Sequence, residues 1–334
     1  MTAGAFQDFV TLTHRGKLRR LYRLAEVALS HYDLPATEVR LHTFATNAIY
    51  RVRTAAGAVY ALRLAYPGWR TLSDLRAEAT WLEALARETN ILAPRVVPAR
   101  DGSAVLSLQA PWVSGQWPGT LMTWLPGRLL AHYLTPDNLA RLGALFARLH
   151  QHGKDWQPPP GFTTRRFEAF LSRDEPDVLF SEAVLDTFTV EERRAFLQAR
   201  SWVDQEYAAL DRRDLRVIHC DLWHENVKIY HSELYPFDFE DTIWGFRLHD
   251  IAMSLLDLLE TVGPVRYPEL QVAFRSGYER YLHWPDGRLA VLQIGRLLWQ
   301  VNHVARFEPA SLDTLVANHS RIFREYAHRG ELIL

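Results

Sequence analysis

Residues 219 to 226 read His-Cys-Asp-Leu-Trp-His-Glu-Asn, and Asp238 stands twelve residues past Asn226 in the run Pro-Phe-Asp-Phe-Glu-Asp. A His-x-Asp-x-x-x-x-Asn spacing with a second Asp downstream suits phosphoryl transfer from ATP. One carboxylate can hold an attacking hydroxyl, while an amide and another carboxylate hold magnesium. Such transfer is mostly positioning and charge neutralisation, so the catalytic Asp need only accept a hydrogen bond from the hydroxyl and align it with the γ-phosphate. Asp221 is read in that role. Asn226 supplies a neutral oxygen to the metal and Asp238 a charged one, which suits magnesium because it keeps water and phosphate oxygens for most of its shell. His219 is read as a buttress of the loop rather than a proton carrier. A zinc hydrolase built from His219, Asp221, His224 and His231 is the competing chemistry. The chain offers it neither a His-Glu-x-x-His helix nor paired cysteine ligands, since Cys220 is the only cysteine.

These residues need a frame. His219 follows the apolar run Arg216-Val217-Ile218, which predicts a strand over 215–218, and the alternation at 227–230 and 235–238 predicts a hairpin with Asp238 at its end. Upstream, a helix is predicted over 15–32. Strands follow at 47–54 and 58–65, joined through Ala-Ala-Gly at 55–57, then a helix over 73–87 and strands near 104–108 and 120–124. After Leu125-Pro126-Gly127 the pattern becomes helical. Thr135-Pro136-Asp137 starts a helix with a leucine-rich stripe that stops at Gly153, and further helices are predicted near 165–172, 190–212, 246–260, 267–283, 287–306 and 311–329. The expected class is α+β with two lobes: residues 1–124, a small antiparallel sheet with a packed helix, and residues 125–334, a mainly helical lobe carrying the motif.

Composition narrows the partners. With 334 residues, 48% of them hydrophobic, the chain can fill a large core, and 38 basic against 39 acidic residues give no bulk attraction to nucleic acid or an anionic membrane. No apolar stretch reaches the 18 or more residues of a membrane span, and the first ten residues lack a signal-peptide core. One cysteine fits a reducing compartment. The expectation is a cytoplasmic protein that binds neither nucleic acid nor membrane.

The motif and its flanks resemble the phosphotransferase family of aminoglycoside kinases, choline kinases and type II homoserine kinases, which share a protein-kinase-like two-lobed fold. The resemblance runs from about Thr43 to Leu258. It implies that His219–Asn226 is the catalytic loop and that Asp238 chelates magnesium. It further implies that Asp250, in His-Asp-Ile-Ala, braces the loop, and that Ala147-Arg148-Leu149-His150 lies on a helix behind it. On the nucleotide side it implies that Ala61 leaves room for adenine, that residue 63 meets the α and β phosphates, and that the backbone around Met122 and Trp124 meets the adenine edge. The chain departs from the kinase pattern by placing Arg63 where lysine is usual. Arginine is a competent phosphate donor. Glu78 falls within the apolar stripe of Leu75, Leu82 and Leu85, and an inward carboxylate needs a cation. Arg63 is the obvious one. The turn Thr43–Asn47 has no glycine, so Thr46 and Asn47 are expected to donate from side chains instead of a backbone cradle.

The acceptor side is less defined. Trp223, Glu240, Asp241 and Trp244 lie near the motif in sequence, and Arg296, Trp299 and His303 share a helical face. Acidic and aromatic side chains suit an amine-bearing alcohol through charge and cation–π attraction, although Trp299 at helical spacing reads first as core. The expected activity is therefore ATP- and magnesium-dependent phosphorylation of a small hydroxyl compound such as an amino alcohol, a homoserine-like amino acid or an aminosugar. A protein Ser/Thr kinase of the bacterial stress type is the alternative. No long segment between Asp238 and Asp250 could serve it as an activation loop. A nucleotide-binding regulator without catalysis is a third, weakened by the intact Asp221, Asn226 and Asp238.

Overall fold

The computed structural model describes residues 9–171 and 175–334. The chain divides into two compact units, one made of residues up to 126 with 158–163, the other of residues 127–157 and 164–334.

In the first unit, α1 (His14–Leu29) leads into β1 (Ala36–Phe44), β2 (Asn47–Thr54), β3 (Val59–Ala65), α2 (Leu72–Glu88), β4 (Leu106–Leu108) and β5 (Trp117–Thr123). The strands form an antiparallel sheet in the order β1-β2-β3-β5-β4. Gly57, at a φ of 84°, makes the turn between β2 and β3 in the left-handed region. Ala61 stands opposite Arg51 and Met122, and Arg63 opposite Ile49 and Thr120. Because side chains alternate along a strand, Ala61, Arg63, Thr120 and Met122 share one face. The other face presents Tyr50, Val52, Leu62, Leu64 and Leu121 to a core closed by Leu21, Leu24, Ala25 and Ala28 of α1. β1 went unread in the sequence because most of its residues are exposed, so no hydrophobic alternation marks it. A capping box of Thr71 and Asp74 starts α2, whose Leu75 and Ala79 pack with Ala65 and Val105.

The second unit contains β6 (Arg128–Leu129), α3 (Pro136–Asp155), β7 (Arg166–Phe167), α4 (Glu182–Leu185), α5 (Val190–Ala209), β8 (Leu215–Ile218), β9 (Val227–Tyr230), β10 (Glu233–Pro236), β11 (Ile243–Phe246), α6 (Arg247–Tyr278), α7 (Leu289–Phe307) and α8 (Leu312–Arg329). Two small sheets, β10-β9-β6 and β7-β11-β8, carry the motif among the helices. The expected helix near 165–172 does not form. Arg166–Phe167 pairs parallel to β11 and the Arg165 carbonyl accepts the Trp244 N–H, so sheet bonding takes the backbone there; position 172 lies outside the described residues. The two helices expected over 246–260 and 267–283 both form within α6, on either side of a break at Gly263, whose φ of 74° and ψ of 170° are not helical, just before Pro264. Proline lacks the N–H needed to continue the ladder, and glycine absorbs the turn. No helix among the described residues is long and apolar enough to cross a membrane.

α3 and α6 meet backbone to backbone through two glycines. A Cβ on Gly277 would lie 1.8 Å from the Ala140 carbonyl oxygen, and one on Gly143 would lie 1.9 Å from that of Phe274. Neither helix can yield without disturbing the other. Gly277→Ala is therefore expected to cost about 3 kcal/mol or more of stability, read as a lower urea midpoint at unchanged slope. Wild-type stability in that variant would show that the helices do not rely on this approach.

Candidate active site

β8 and β11 pair antiparallel, Ile243 opposite Ile218 and Trp244 opposite Val217, and β8 delivers the chain directly into His219. His219 is buried with its ring 4.3 Å from that of Phe239, and its Nε2–H donates to the Phe237 carbonyl at 3.1 Å. Burial holds its pKa below the ordinary histidine value. Neutral and fixed, it ties the segment after β8 to Phe237, the residue before Asp238.

Cys220 adopts a left-handed conformation, φ 68°, which L residues rarely take unless something holds them there. Its N–H donates to Asp250 Oδ1 at 2.7 Å. Asp221 follows, half-buried, and the Asn226 side chain donates from Nδ2 to the Asp221 carbonyl at 2.8 Å and to Oδ2 at 2.9 Å. With its N–H groups spent on Asp221, Asn226 keeps Oδ1 without a hydrogen bond among the described residues, an oxygen available to a cation. The Phe237 N–H donates to the Asn226 carbonyl at 2.9 Å, setting the two segments side by side.

Asp238 was expected to end a strand; β10 instead ends at Pro236, and Asp238 sits beyond it at a φ of 65°. Of the four described non-glycine residues with positive φ, Cys220 and Asp238 are the two that adjoin this site, and Cys220 is of a type that rarely adopts it. Glu240 is buried and Asp241 half-buried in the turn that follows. Burial pushes the Asp221 carboxyl well above the usual range, with Asp241, Asp238 and Asp257 raising it further and Arg296 opposing them. Carboxyls thus crowd around Arg296, and the crowding favours the protonated form of Asp221. Among the described residues no three His, Cys, Asp or Glu side chains form a ready-made metal cage. Magnesium needs none, since it binds through one or two protein oxygens and substrate phosphates.

The acceptor-side expectations divide. Arg296 reaches the Asp221 environment electrostatically and lies with its guanidinium 4.3 Å from the Trp299 ring. Trp299 is half-buried, not sealed in the core; its indole N–H donates to Glu175 at 2.7 Å and its ring stacks 5.4 Å from His303. Trp223 packs edge-on to His224, 5.1 Å away, and Trp244 is committed to β11. Asp257 and Glu260 on α6 were missed. Burial raises Asp257 to about 7, with Arg296 pulling down and Glu260 and Glu225 pushing up, and burial raises Glu260 as well. The signal was present: two carboxylates inside the otherwise apolar run Leu-Leu-Asp-Leu-Leu-Glu at 255–260. His224, which the zinc alternative needed as a ligand, has its Nε2 3.0 Å from the Thr261 hydroxyl, and burial holds its pKa at about 4.

In the first unit, Arg63 and Glu78 form a buried ion pair, 3% and 2% exposed, with Nη1 to Oε1 at 3.1 Å and a second, shorter bond between Nη2 and Oε2. The paired oxygens and nitrogens make it bidentate. Ala61 and Met122, directly opposite each other, remain partly exposed on the same sheet face. The Trp124 N–H donates to the Val59 carbonyl at 3.1 Å. Thr46 lies in the two-residue turn from β1 to β2, where its carbonyl accepts the Tyr66 N–H at 3.2 Å, and Asn47 opens β2 in a buried position.

Comparison with known proteins bears on the family and the fold. The model of the phosphotransferase enzyme family matches residues 39–288. Homoserine kinase of Cupriavidus metallidurans is 32% identical over 148 residues, 43% of this chain and 40% of that kinase. Among solved structures, the microcompartment-associated aminopropanol kinase superposes with a TM-score of 0.74 at 20% identity, over 93% of this chain and 99% of that one. Amicoumacin kinase hAmiN, solved with AMP-PNP, Ca2+ and Ami, gives 0.73 at 19% identity over 94% and 96%. These two likenesses show the fold.

Proposed function

Because the chain belongs to the phosphotransferase enzyme family, we propose that it transfers the γ-phosphate of ATP, with magnesium, to a hydroxyl of a small molecule that also carries an amine. The observation that carries the proposal is Asp221. It is held by Asn226 at 2.9 Å beside a left-handed Cys220, in surroundings where Asp238, Asp241 and Asp257 press on it. A carboxylate so fixed can accept the acceptor's hydroxyl proton and aim its oxygen, the contribution that positioning makes to this reaction. Asn226 Oδ1 and the Asp238 carboxylate fit a hard cation, which when bound neutralises phosphate charge. Arg63, braced by Glu78, is assigned by this reading to the phosphate side of the nucleotide. Ala61 and Met122 suit the flat apolar face of adenine, and Thr46 and Asn47 the phosphate-covering turn; the Met122–Trp124 backbone would meet the adenine edge through a carbonyl, since the Thr123 and Trp124 N–H groups are donated to the Arg95 and Val59 carbonyls.

The acceptor's amine follows from charge. Asp257, Glu260 and Asp241 outnumber Arg296, and the half-buried Trp223 suits a cation by its ring, whereas the Trp299 ring is already taken by Arg296 and His303. Homoserine and aminopropanol, the compounds named for two similar kinases, each combine an amine with a hydroxyl. Such a protein needs neither membrane nor nucleic acid, and a cytoplasmic site would supply its ATP. The test is ADP formation with magnesium and paired acceptors, each amino alcohol against its desamino congener. A clear preference for the amines supports the reading; equal use of both removes the amine from it.

Asp257 makes the acceptor assignment specific. Facing Arg296, Glu260, Glu225 and Asp221, it loses its proton near pH 7 and is a competent ammonium partner only above that. The acceptor KM is therefore expected to fall as pH rises through about 7. In Asp257→Asn it should be raised about tenfold, the scale of one charge-assisted hydrogen bond, and lose that pH dependence. The KM for ATP should stay put. A shift in the ATP KM instead would place Asp257 on the nucleotide side.

A further inference from the structure

Asp250 does more than touch the Cys220 N–H. Its second oxygen, Oδ2, lies 2.9 Å from His150 Nε2 on α3; His150 Nδ1 lies 3.0 Å from the Tyr278 hydroxyl at the far end of α6; and the Arg247 guanidinium donates to that hydroxyl at 3.1 Å. Arg247 is held in turn by Asp214 at 2.6 Å and by the His283 carbonyl at 2.9 Å, and Asp214 also binds Arg216 at 2.7 Å. His150, Asp250 and Tyr278 are all at most 1% exposed, so each proton in the chain has a defined owner. Burial keeps His150 neutral, against the pull of Asp250, and pushes the tyrosine up to about 12, with Arg247 pulling the other way. The bonds then run one way. Arg247 donates to Tyr278, Tyr278 to His150 Nδ1, His150 Nε2–H to Asp250, and the remaining Asp250 oxygen accepts the Cys220 N–H. In a low-dielectric interior such a chain strengthens each member. It ends on the one residue whose strained φ of 68° sets the direction of Asp221.

We infer that His150 and Tyr278 are positioning residues. Through Asp250 they hold the Cys220 backbone in its left-handed state and so aim Asp221, a role that rests on the proposed function of Asp221. Neither touches the reacting atoms. The glycine contact between α3 and α6 is what brings His150 within reach of both Asp250 and Tyr278.

The test compares His150→Leu, Tyr278→Phe and His150→Gln with Leu270→Ala, a buried apolar truncation on α6 outside the chain. Glutamine can present an amide N–H to Asp250 and its carbonyl oxygen to Tyr278; leucine and phenylalanine break the relay. Hydrogen exchange at the Cys220 amide, normalised to global stability, is expected to speed up about tenfold or more in His150→Leu and Tyr278→Phe. It should stay near wild type in His150→Gln and Leu270→Ala. In the same proteins kcat should fall about ten- to a hundredfold in the two broken variants with both KM values unchanged, the scale of a small misplacement of the reacting groups. Unchanged exchange at Cys220 overturns the inference whether or not the protein is active. Faster exchange with an unaltered kcat overturns its link to Asp221. Should His150→Leu fail to fold, Tyr278→Phe, which removes a single hydroxyl, carries the same readouts. A wild-type protein that transfers no phosphate would sink the proposed activity separately, since the exchange comparison still decides the relay.

Discussion

Asp221→Asn is expected to lower kcat by about 10²- to 10⁴-fold, the usual loss when a positioned acid–base group is removed, while MgATP binding measured by calorimetry stays within about twofold. The substitution keeps the volume and leaves an amide oxygen for Asn226 Nδ2, so the loop has no reason to collapse. It also removes a carboxylate that burial and three neighbouring aspartates hold against ionisation. A group whose charged form is disfavoured in the folded protein costs stability at neutral pH. The thermal midpoint should hold or rise as activity vanishes. That opposition separates a catalytic carboxylate from a structural one, whose loss lowers both together. Unaltered turnover in Asp221→Asn would remove the assignment.

Glu78→Ala is expected to destabilise the protein by about 3–5 kcal/mol, because it leaves the Arg63 guanidinium, 3% exposed, buried without its partner. Chemical denaturation reads the loss. The double replacement Arg63→Met with Glu78→Leu separates stability from function. Exchanging a buried pair for apolar side chains of similar size is often neutral or stabilising, so the fold should return. ATP binding should not. The apparent KM for ATP should be raised about ten- to a hundredfold, the scale of a charge-assisted contact to phosphate. A double variant with wild-type ATP affinity would make the pair a structural bridge alone.

The sequence displayed the motif and its frame because those features are local. The strand at 215–218, the hairpin after it and the helix start at Thr135-Pro136-Asp137 each depend on a few adjacent residues, and all three form. Glu78 was legible for a related reason: helical periodicity placed a carboxylate on an apolar stripe, and Arg63 lay on the strand just before it in the chain. What escaped is what depends on distant chain. β1 is exposed on most of its length and takes its conformation from β2. Arg166–Phe167 is a strand only because β11 offers a parallel neighbour. Left-handed Cys220 carries no marker, and Asp238 only a weak one, since aspartate enters that region more readily than most residues but is common elsewhere. His150 and Tyr278 stand 128 positions apart and meet only through the packing of α3 on α6. Asp257 was visible as a carboxylate in a leucine run, but its bearing on Asp221 arises from tertiary burial.

The central claim is transfer of a phosphoryl group to a small hydroxyl compound, and following the label tests it most directly. The purified protein is incubated with magnesium and ATP labelled at the γ-phosphate, once with amino alcohols, homoserine-like amino acids and aminosugars, and once with whole-cell protein extract. The account predicts label in an ester of one amine-bearing small molecule, absent without magnesium and absent with Asp221→Asn. Label confined to proteins, or label reaching the small molecule undiminished in Asp221→Asn, would contradict it.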